Sequence, residues 1–423
     1  MKKIVLRGGR VVDPAEKINR ITDVFIRNGK IEKLGKFSTR GYEEIDVSGL
    51  VVAPGFVDIH THLREPGRED SETILSGATA AAAGGFTSIA CMPNTDPPID
   101  SIDAVRFVYD RAKNAPIKVY PIASITKGQN GEELTDMIDC ARAGAVAFSE
   151  DGKSVANTDL MLNALEYSKM LGVPIISHCE EPSLSRNGVM NEGEVSDLLG
   201  LRGIPKAAEE IIVYRDITLS EYVGARLHIA HISTHRSVVA VQEAKKSGAH
   251  ITSEITPHHL ALSDIEVKKF DPNFKVNPPL RDDRELALLR SDLVKGKIDC
   301  IATDHAPHAE QDKAVEFSVA PFGMTGLETA IGVIFTEFYH TKRLSLTQIV
   351  SLMSTVPASI LNLPAGTLKK GAAADITVLD TQKEWTVENF RSKSKNSPFI
   401  GRILVGKAVM TISDGKIVYS DGV

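Results

Sequence analysis

The sequence predicts an α/β protein: a (β/α)8 TIM-type barrel carrying a small accessory β domain built from its N- and C-terminal segments. Three observations carry this reading. Eight short apolar runs of strand type follow one another between residues 51 and 303, most of them separated by a helix-like stretch. Residues 1–53 and 366–423 instead show strand periodicity with frequent turns. No glycine-rich phosphate loop follows the first apolar run, which removes the support that an open nucleotide-binding sheet would need.

Taken in order, 3–7, 23–27 and 30–34 read as strands, with Asn28-Gly29 as the hairpin turn between the last two. Barrel strands are expected at 51–59, 87–91, 118–124, 145–149, 173–177, 226–230, 250–255 and 300–303. Helical periodicity marks 102–113, 159–171, 206–222, 238–246, 283–294 and 326–340. Strand character returns at 375–379, 409–413 and 416–419, the last two joined through Asp414-Gly415. These patterns place a catalytic domain at 54–365 and an accessory β-sandwich domain at 1–53 and 366–423.

A length of 423 residues exceeds one ordinary domain but suits a barrel with an added piece. Hydrophobic residues at 42% and charged residues at 25% supply a core able to hold a rigid buried site. The net charge of -6 argues against nucleic acid as a partner, because a phosphate-binding surface needs net or clustered basic charge. No membrane span is expected: the best stretch, 76–92, is broken by Gly77, Gly84 and Gly85, and 1–7 is too short for a signal segment. Cys91, Cys140, Cys179 and Cys300 lie far apart without a CxxC, as expected of reduced thiols in a cytoplasmic protein.

Asp58-Ile59-His60-Thr61-His62 is the strongest local signal. Residues i and i+2 of a strand share a face, so His60 and His62 are expected to project together into the barrel mouth. Paired imidazoles suit zinc or a similar borderline metal. An isolated HxH is as easily a surface feature, but the other candidate ligands argue otherwise. Asp151 comes just past the fourth expected strand, His178 ends the fifth, His231 the sixth and Asp304 the eighth. All fall at C-terminal strand ends, the catalytic rim of such a barrel. Arg64, two residues beyond His62, shares that face if the strand persists, and its planar fork suits a carboxylate.

His60-Thr61-His62, the strand at 173–178, Ile229-Ala230-His231 and Thr303-Asp304-His305-Ala306-Pro307-His308 together resemble the amidohydrolase superfamily. The segment 366–376, opening Gly366-Thr367-Leu368, resembles the point where that barrel returns to its accessory sheet. His62-Leu63-Arg64-Glu65-Pro66-Gly67, Met92-Pro93-Asn94-Thr95 and Asp304-His305-Ala306-Pro307-His308 look like the bacterial class I dihydroorotases. The resemblance implies reversible cyclisation of N-carbamoyl-L-aspartate to L-dihydroorotate in pyrimidine (UMP) synthesis, at a centre of one or two Zn2+ ions.

It implies His60, His62, Asp151, His178, His231 and Asp304 as metal ligands, with Asp304 also the proton shuttle. It implies Arg64, Asn94 and His308 at the substrate carboxylate and Asn277 at the ring, with Pro321, Phe322 and Gly323 completing the substrate site. One departure stands out. Ser149 occupies the place where many superfamily members carry a carboxylated lysine, leaving Asp151 as the bridging oxygen ligand and the metal count open.

Asp-His-Ala-Pro-His is shared with allantoinases and hydantoinases, so a cyclic amide hydrolase of that type is the nearest alternative; Arg64 and Asn94 favour an anionic ring. A rival of another class is a non-catalytic partner of aspartate transcarbamoylase. Such chains lack several ligands, whereas all six candidates are present here. An active chain in a homo-oligomer, or in a hetero-oligomer with that enzyme, is compatible with the same residues. Cys179 follows His178 directly and is expected to face away and pack, becoming a ligand only if its loop rearranges. The polar stretch 309–320 leading to Pro321-Phe322-Gly323 suits a mobile lid.

Overall fold

The computed structural model describes residues 3–422. Strand β1 (Phe56–Thr61) pairs in parallel with β2 (Phe86–Cys91), which pairs with Lys118–Pro121. Beyond Ile122 the chain continues as Ala123–Ser124; the two pieces make β3, and the second pairs with β4 (Phe148–Ser149). Then β5 (Ile175–Ser177), β6 (Leu227–Ile229), β7 (Ile251–Ile255) and β8 (Cys300–Ile301) add in chain order, all parallel. A parallel bridge between Thr61 and His305 and hydrogen bonds of 3.2 Å from Thr303 N to the Asp58 carboxylate link the end of β8 back to β1.

Each interval carries a principal helix: α1 (Ile74–Ala83), α2 (Ile102–Ala112), α3 (Met137–Ala143), α4 (Thr158–Leu171), α5 (Lys206–Val223), α6 (His235–Lys246) and α7 (Asp283–Val294), with short extra helices at Pro182–Ser185, Glu194–Leu199 and Pro257–Ala261. Local sequence sets their starts. Thr73, Ser101, Asp136, Asn157, Thr234 and Asp282 each accept a hydrogen bond from a first-turn amide. Strands covered on both faces read as continuous apolar runs, and every residue of β1 and β2 is buried, including His60.

The apolar run at 51–59 is two strands rather than one. Val51–Pro54 leaves the parallel series to pair with Ile376–Thr386 and Arg10–Asp13, and β1 starts only after Gly55. Gly55 is where the sheets part: its amide donates to Asp375 O at 2.9 Å, and a Cβ there would meet the Thr87 hydroxyl at 2.0 Å. The helix expected over 326–340 is an α-helical turn at Ala330–Ile334 followed by a π segment at Phe335–Tyr339. Several strands are shorter than expected: β4 and β5 begin later, at Phe148 and Ile175, while β6 and β8 end earlier, at Ile229 and Ile301.

The two ends of the chain meet. Ile376–Thr386, Ile403–Ser413 and Lys416–Ser420 join Val51–Pro54, Arg10–Asp13 and Ile18–Ile21 in a six-stranded sheet. Lys3–Arg7, Val24–Arg27, Lys30–Leu34 and Glu43–Asp46 form a four-stranded sheet, with Asn28 and Gly29 in left-handed conformations at its hairpin. Leu6 and Ile26 of one sheet share an apolar core with Val52, Ile376 and Val378 of the other. Among the described residues, no helix is long and apolar enough to cross a membrane.

Candidate metal centre

The parallel strands deliver the site residues to one rim. His60 lies on β1 and His62 just beyond it; Asp151, His178, His231 and Asp304 follow the ends of β4, β5, β6 and β8. His231 and Asp304 adopt positive φ, at 31° and 49°, a region that side chains other than glycine enter at a cost. The turn each makes aims its side chain across the rim rather than along the ladder.

Asp151 is the hub. Its Oδ1 lies 3.2 Å from His60 Nε2 and 3.5 Å from both His178 Nδ1 and His231 Nε2, while Oδ2 lies 3.4 Å from His62 Nε2. Asp304 Oδ1 sits 3.0 Å from His62 Nε2 and 3.6 Å from His60 Nε2. The donors fall into two triads sharing Asp151, namely His60, His62, Asp151 and Asp151, His178, His231, with the atoms of each triad within 4.8 Å of one another. His60 Nε2, Asp151 Oδ1 and His231 Nδ1 are buried without a hydrogen-bond partner. Leaving one such atom unsatisfied costs on the order of 1–3 kcal/mol. A cation among these nitrogens and oxygens satisfies the donor set, so the residues present fit a metal ion.

Glu254, on β7, orients the cluster from behind. Its Oε1 is 2.5 Å from His60 Nδ1 and accepts from His231 N at 3.2 Å, and its Oε2 is 3.1 Å from His228 Nε2. An ionised carboxylate only accepts, so His60 Nδ1 carries the hydrogen and Nε2 turns its lone pair to the cluster. Burial opposes the charge on Glu254, but His60 and His228 outweigh it and hold the group far below the usual carboxylate range. Burial likewise opposes ionisation of Asp304, yet the hydrogen bond from His62 and the charge of His60 bring it down to about 2. Glu180 closes the other side, with Oε2 3.1 Å from His178 Nε2 and accepting from Asn277 Nδ2 at 2.7 Å.

A cavity of about 170 Å³ opens over the cluster, walled also by Arg64, Asn94, Asn277, His308, Phe322 and Gly323. Pro321 is not among its walls; its carbonyl accepts from Lys313 Nζ at 2.7 Å. Arg64 arrives by a route the strand periodicity does not foresee. β1 ends at Thr61, and Arg64 turns in with φ of 60°, tethered by Nε donating to Pro307 O at 3.0 Å. Asn94 Oδ1 lies 2.7 Å from His62 Nδ1 and so fixes that ring, leaving the amide nitrogen of Asn94 toward the cavity. His308 Nε2 is 2.7 Å from Phe322 O and 3.3 Å from an Arg64 terminal nitrogen. Burial, then Arg64 and Lys313, hold the His308 ring down at about 2, so it is neutral and its one N–H serves the carbonyl.

Cys179 is buried outside both triads, with Sγ 3.5 Å from Ser177 Oγ and 3.7 Å from Ser177 O, and burial pushes its thiol well up. The stretch 309–320 is tied down from below: Lys275 Nζ donates to Ser318 O at 2.9 Å and Lys313 Nζ to Pro272 O at 3.0 Å. Sequence reasoning did not single out Glu254, Glu180 or His228. A carboxylate inside the apolar run 250–255 was the available signal for Glu254; nothing local marks Glu180.

A family profile described as dihydro-orotase-like matches residues 49–237, and one described as amidohydrolase family matches 300–419. The dihydroorotase of Pelotomaculum thermopropionicum is 50% identical over 424 residues, spanning 100% of this chain and 99% of its own length. The dihydroorotase of Syntrophus aciditrophicus is 48% identical over 99% of this chain and 100% of its own. Among solved structures, the L-hydantoinase (dihydropyrimidinase) of Arthrobacter aurescens has the same fold, with a TM-score of 0.89 over 100% of this chain and 97% of that one at 24% identity. The dihydropyrimidinase of Brevibacillus agri NCHU1002 gives 0.87 over 99% and 95% at 25% identity. Likeness at that level over the whole length, together with the histidine and aspartate cluster on the rim, makes this chain a member of the dihydroorotase family of amidohydrolases.

Proposed function

We propose that the protein catalyses the reversible cyclisation of N-carbamoyl-L-aspartate to L-dihydroorotate, the ring-closing step of pyrimidine synthesis, at a zinc centre. One observation carries the reading: a donor cluster hinged on Asp151 faces, across a small cavity, a guanidinium aimed inward from Arg64. That pairing suits a cyclic amide bearing a carboxylate. A hydantoinase or allantoinase acting on a neutral ring has no use for the cation.

The chain-order succession of parallel strands, interrupted at Ile122 within β3, and the Thr61–His305 bridge support a closed (β/α)8 barrel. The shared core of the two outer sheets supports a β-sandwich made from 1–53 and 366–423 around a catalytic unit at 54–365. The nitrogen-rich donor set supports zinc, held by His60, His62, Asp151, His178, His231 and Asp304. When bound, such an ion lowers the pKa of a water molecule and polarises the amide carbonyl.

The chain's own residues supply the rest. Asp304 is ionised and takes the proton of the attacking water on a carboxylate oxygen, then returns it to the departing ring nitrogen; in ring closure the transfer reverses. Arg64 binds the substrate carboxylate with its terminal nitrogens while its Nε stays on Pro307 O. Asn94 holds His62 and offers its amide N–H to the same carboxylate, and Asn277, anchored on Glu180, borders the ring. Gly323 lets the backbone close in: a Cβ there would meet Ala306 Cβ at 2.7 Å and His308 Nε2 at 3.0 Å.

The deciding assay follows dihydroorotate hydrolysis by purified zinc-loaded protein, with metal content measured on the same sample and dihydrouracil and hydantoin as competitors. Turnover of dihydroorotate that disappears in Asp304→Ala is the expected result. Turnover confined to the neutral rings would overturn the proposal.

A further inference from the structure

We propose that Asn396 is a positioning residue for the anion clamp made by Arg64 and His308, an inference that rests on the substrate reading given above. Asn396 belongs to the long connection 387–402, which leaves Ile376–Thr386, crosses to the cavity rim and returns as Ile403–Ser413. The residue is 4% exposed, and both its amide nitrogen and its amide oxygen are engaged. Oδ1 accepts from His308 N at 3.0 Å, and Nδ2 donates to Ala306 O at 3.0 Å and to Gly323 O at 3.1 Å. One amide therefore spans two backbone segments, one carrying His308 and the other Phe322 and Gly323.

Those same segments are joined a second time, by the His308 imidazole reaching Phe322 O at 2.7 Å. The neutral ring has a single N–H, on the nitrogen that also lies 3.3 Å from Arg64. To donate to a substrate carboxylate, His308 has to release Phe322 O. At that moment the backbone bond from Ala306 N to Met324 O at 2.9 Å still joins the bases of the two segments, and Asn396 is the side chain that ties His308 N itself to residue 323. The imidazole is then free to turn while its Cα and the Arg64 tether at Pro307 O stay in place, which is the preorganisation an anion clamp needs.

The rest of the connection has its own anchors. Ser394 Oγ donates to Ser71 O at 2.7 Å, the Ser392 hydroxyl donates to Glu72, and Glu328 accepts from the amides of Arg391 and Ser392 at 2.9 and 3.1 Å. Removing the Asn396 amide should leave the connection attached and loosen only the clamp. Asn396→Asp is the sharper change, since it keeps the acceptor for His308 N and turns a carboxylate oxygen toward two carbonyls.

Steady-state kinetics on dihydroorotate, with zinc content and Tm for each zinc-loaded full-length protein, test the inference on Asn396→Ala, Asn396→Asp, Ser394→Ala and Arg64→Ala. We expect both Asn396 variants to raise KM by about 10-fold or more, with kcat within about 3-fold and zinc content unchanged, because a displacement near 1 Å loses oriented binding. Ser394→Ala should keep the wild-type KM even where Tm falls. A wild-type KM in the Asn396 variants beside a raised KM in Arg64→Ala would overturn the role of Asn396 and leave the substrate reading intact. An unchanged KM in Arg64→Ala would overturn that reading, and this inference with it. A KM rise in Ser394→Ala as large as in Asn396→Ala, or a joint loss of kcat and zinc in the Asn396 variants, would show general loosening and also overturn it.

Discussion

Glu254 Oε1 lies 2.5 Å from His60 Nδ1, a contact between β7 and β1 that decides which nitrogen of His60 faces the metal cluster. The other carboxylate oxygen is engaged by His228 Nε2 at 3.1 Å, so Glu254 is held from both sides. In Glu254→Gln the new amide N–H₂ competes for the same place and stabilises the wrong tautomer of His60. Zinc affinity, read by competition with a chromophoric chelator, should fall by roughly 10- to 100-fold. Wild-type affinity would mean that the tautomer is set by something else.

Asp304→Ala should retain zinc, because His60, His62 and Asp151 stay in place around the ion. Its kcat should drop by about 10²- to 10⁴-fold through loss of the proton carrier. Metal analysis and turnover on one preparation separate the two effects; equal loss of both would make Asp304 mainly a ligand.

Arg64→Lys keeps the positive charge but loses both the planar fork and the Nε tether to Pro307 O. KM for dihydroorotate should rise by about 10-fold, equivalent to roughly 1.4 kcal/mol, with a smaller change in kcat. A KM indistinguishable from wild type would show that charge alone suffices.

Stability should carry a signature of two lysines, Lys313 within the 309–320 stretch and Lys275 beneath it. Burial, then Lys275 and Arg64, pulls Lys313 down to about 7, and burial pulls Lys275 down to about 8. An unfolded lysine titrates near about 10.4. Between these values the unfolded chain binds more protons than the folded one, so this contribution to stability rises with pH across that window and is least favourable below pH 7. A neutral amine still has hydrogens for Pro272 O and Pro321 O. Denaturant midpoints measured from pH 7 to 9.5 should climb more steeply for the wild type than for Lys313→Met; parallel profiles would count against the buried-lysine account.

Removal of the metal by a strong chelator should lower Tm by several degrees, since the Asp151-centred cluster exists only in the folded chain and binding there is linked to folding. Adding zinc back should restore it. An unchanged Tm would indicate that the cluster contributes nothing to stability in either form.

Much of the candidate site is legible in the sequence because its candidate ligands obey a local rule. His60 and His62 share a strand face, and Asp151, His178, His231 and Asp304 each follow a strand, so period and position were enough to nominate them. Cys179 was expected to pack, for the same alternation, and it does. Arg64 lines the cavity although the strand does not persist to it: β1 ends at Thr61 and the backbone makes a left-handed turn at Arg64. The run 51–59 misled likewise: both halves are apolar, and nothing in their period tells which sheet each joins.

What the chain determined by itself is therefore the alternation of strand and helix, the rim of candidate metal-ligating side chains and the two β-rich ends. What only the tertiary structure decided is how that rim is held. Glu254 reaches His60 across 194 residues of sequence, and Asn396 reaches His308 across 88. Such contacts depend on which strands become neighbours when the parallel series meets its own first member, and on where a long connection lands. Hydrogen bonds act over about 3 Å in space, whereas periodicity reports only a few residues along the chain.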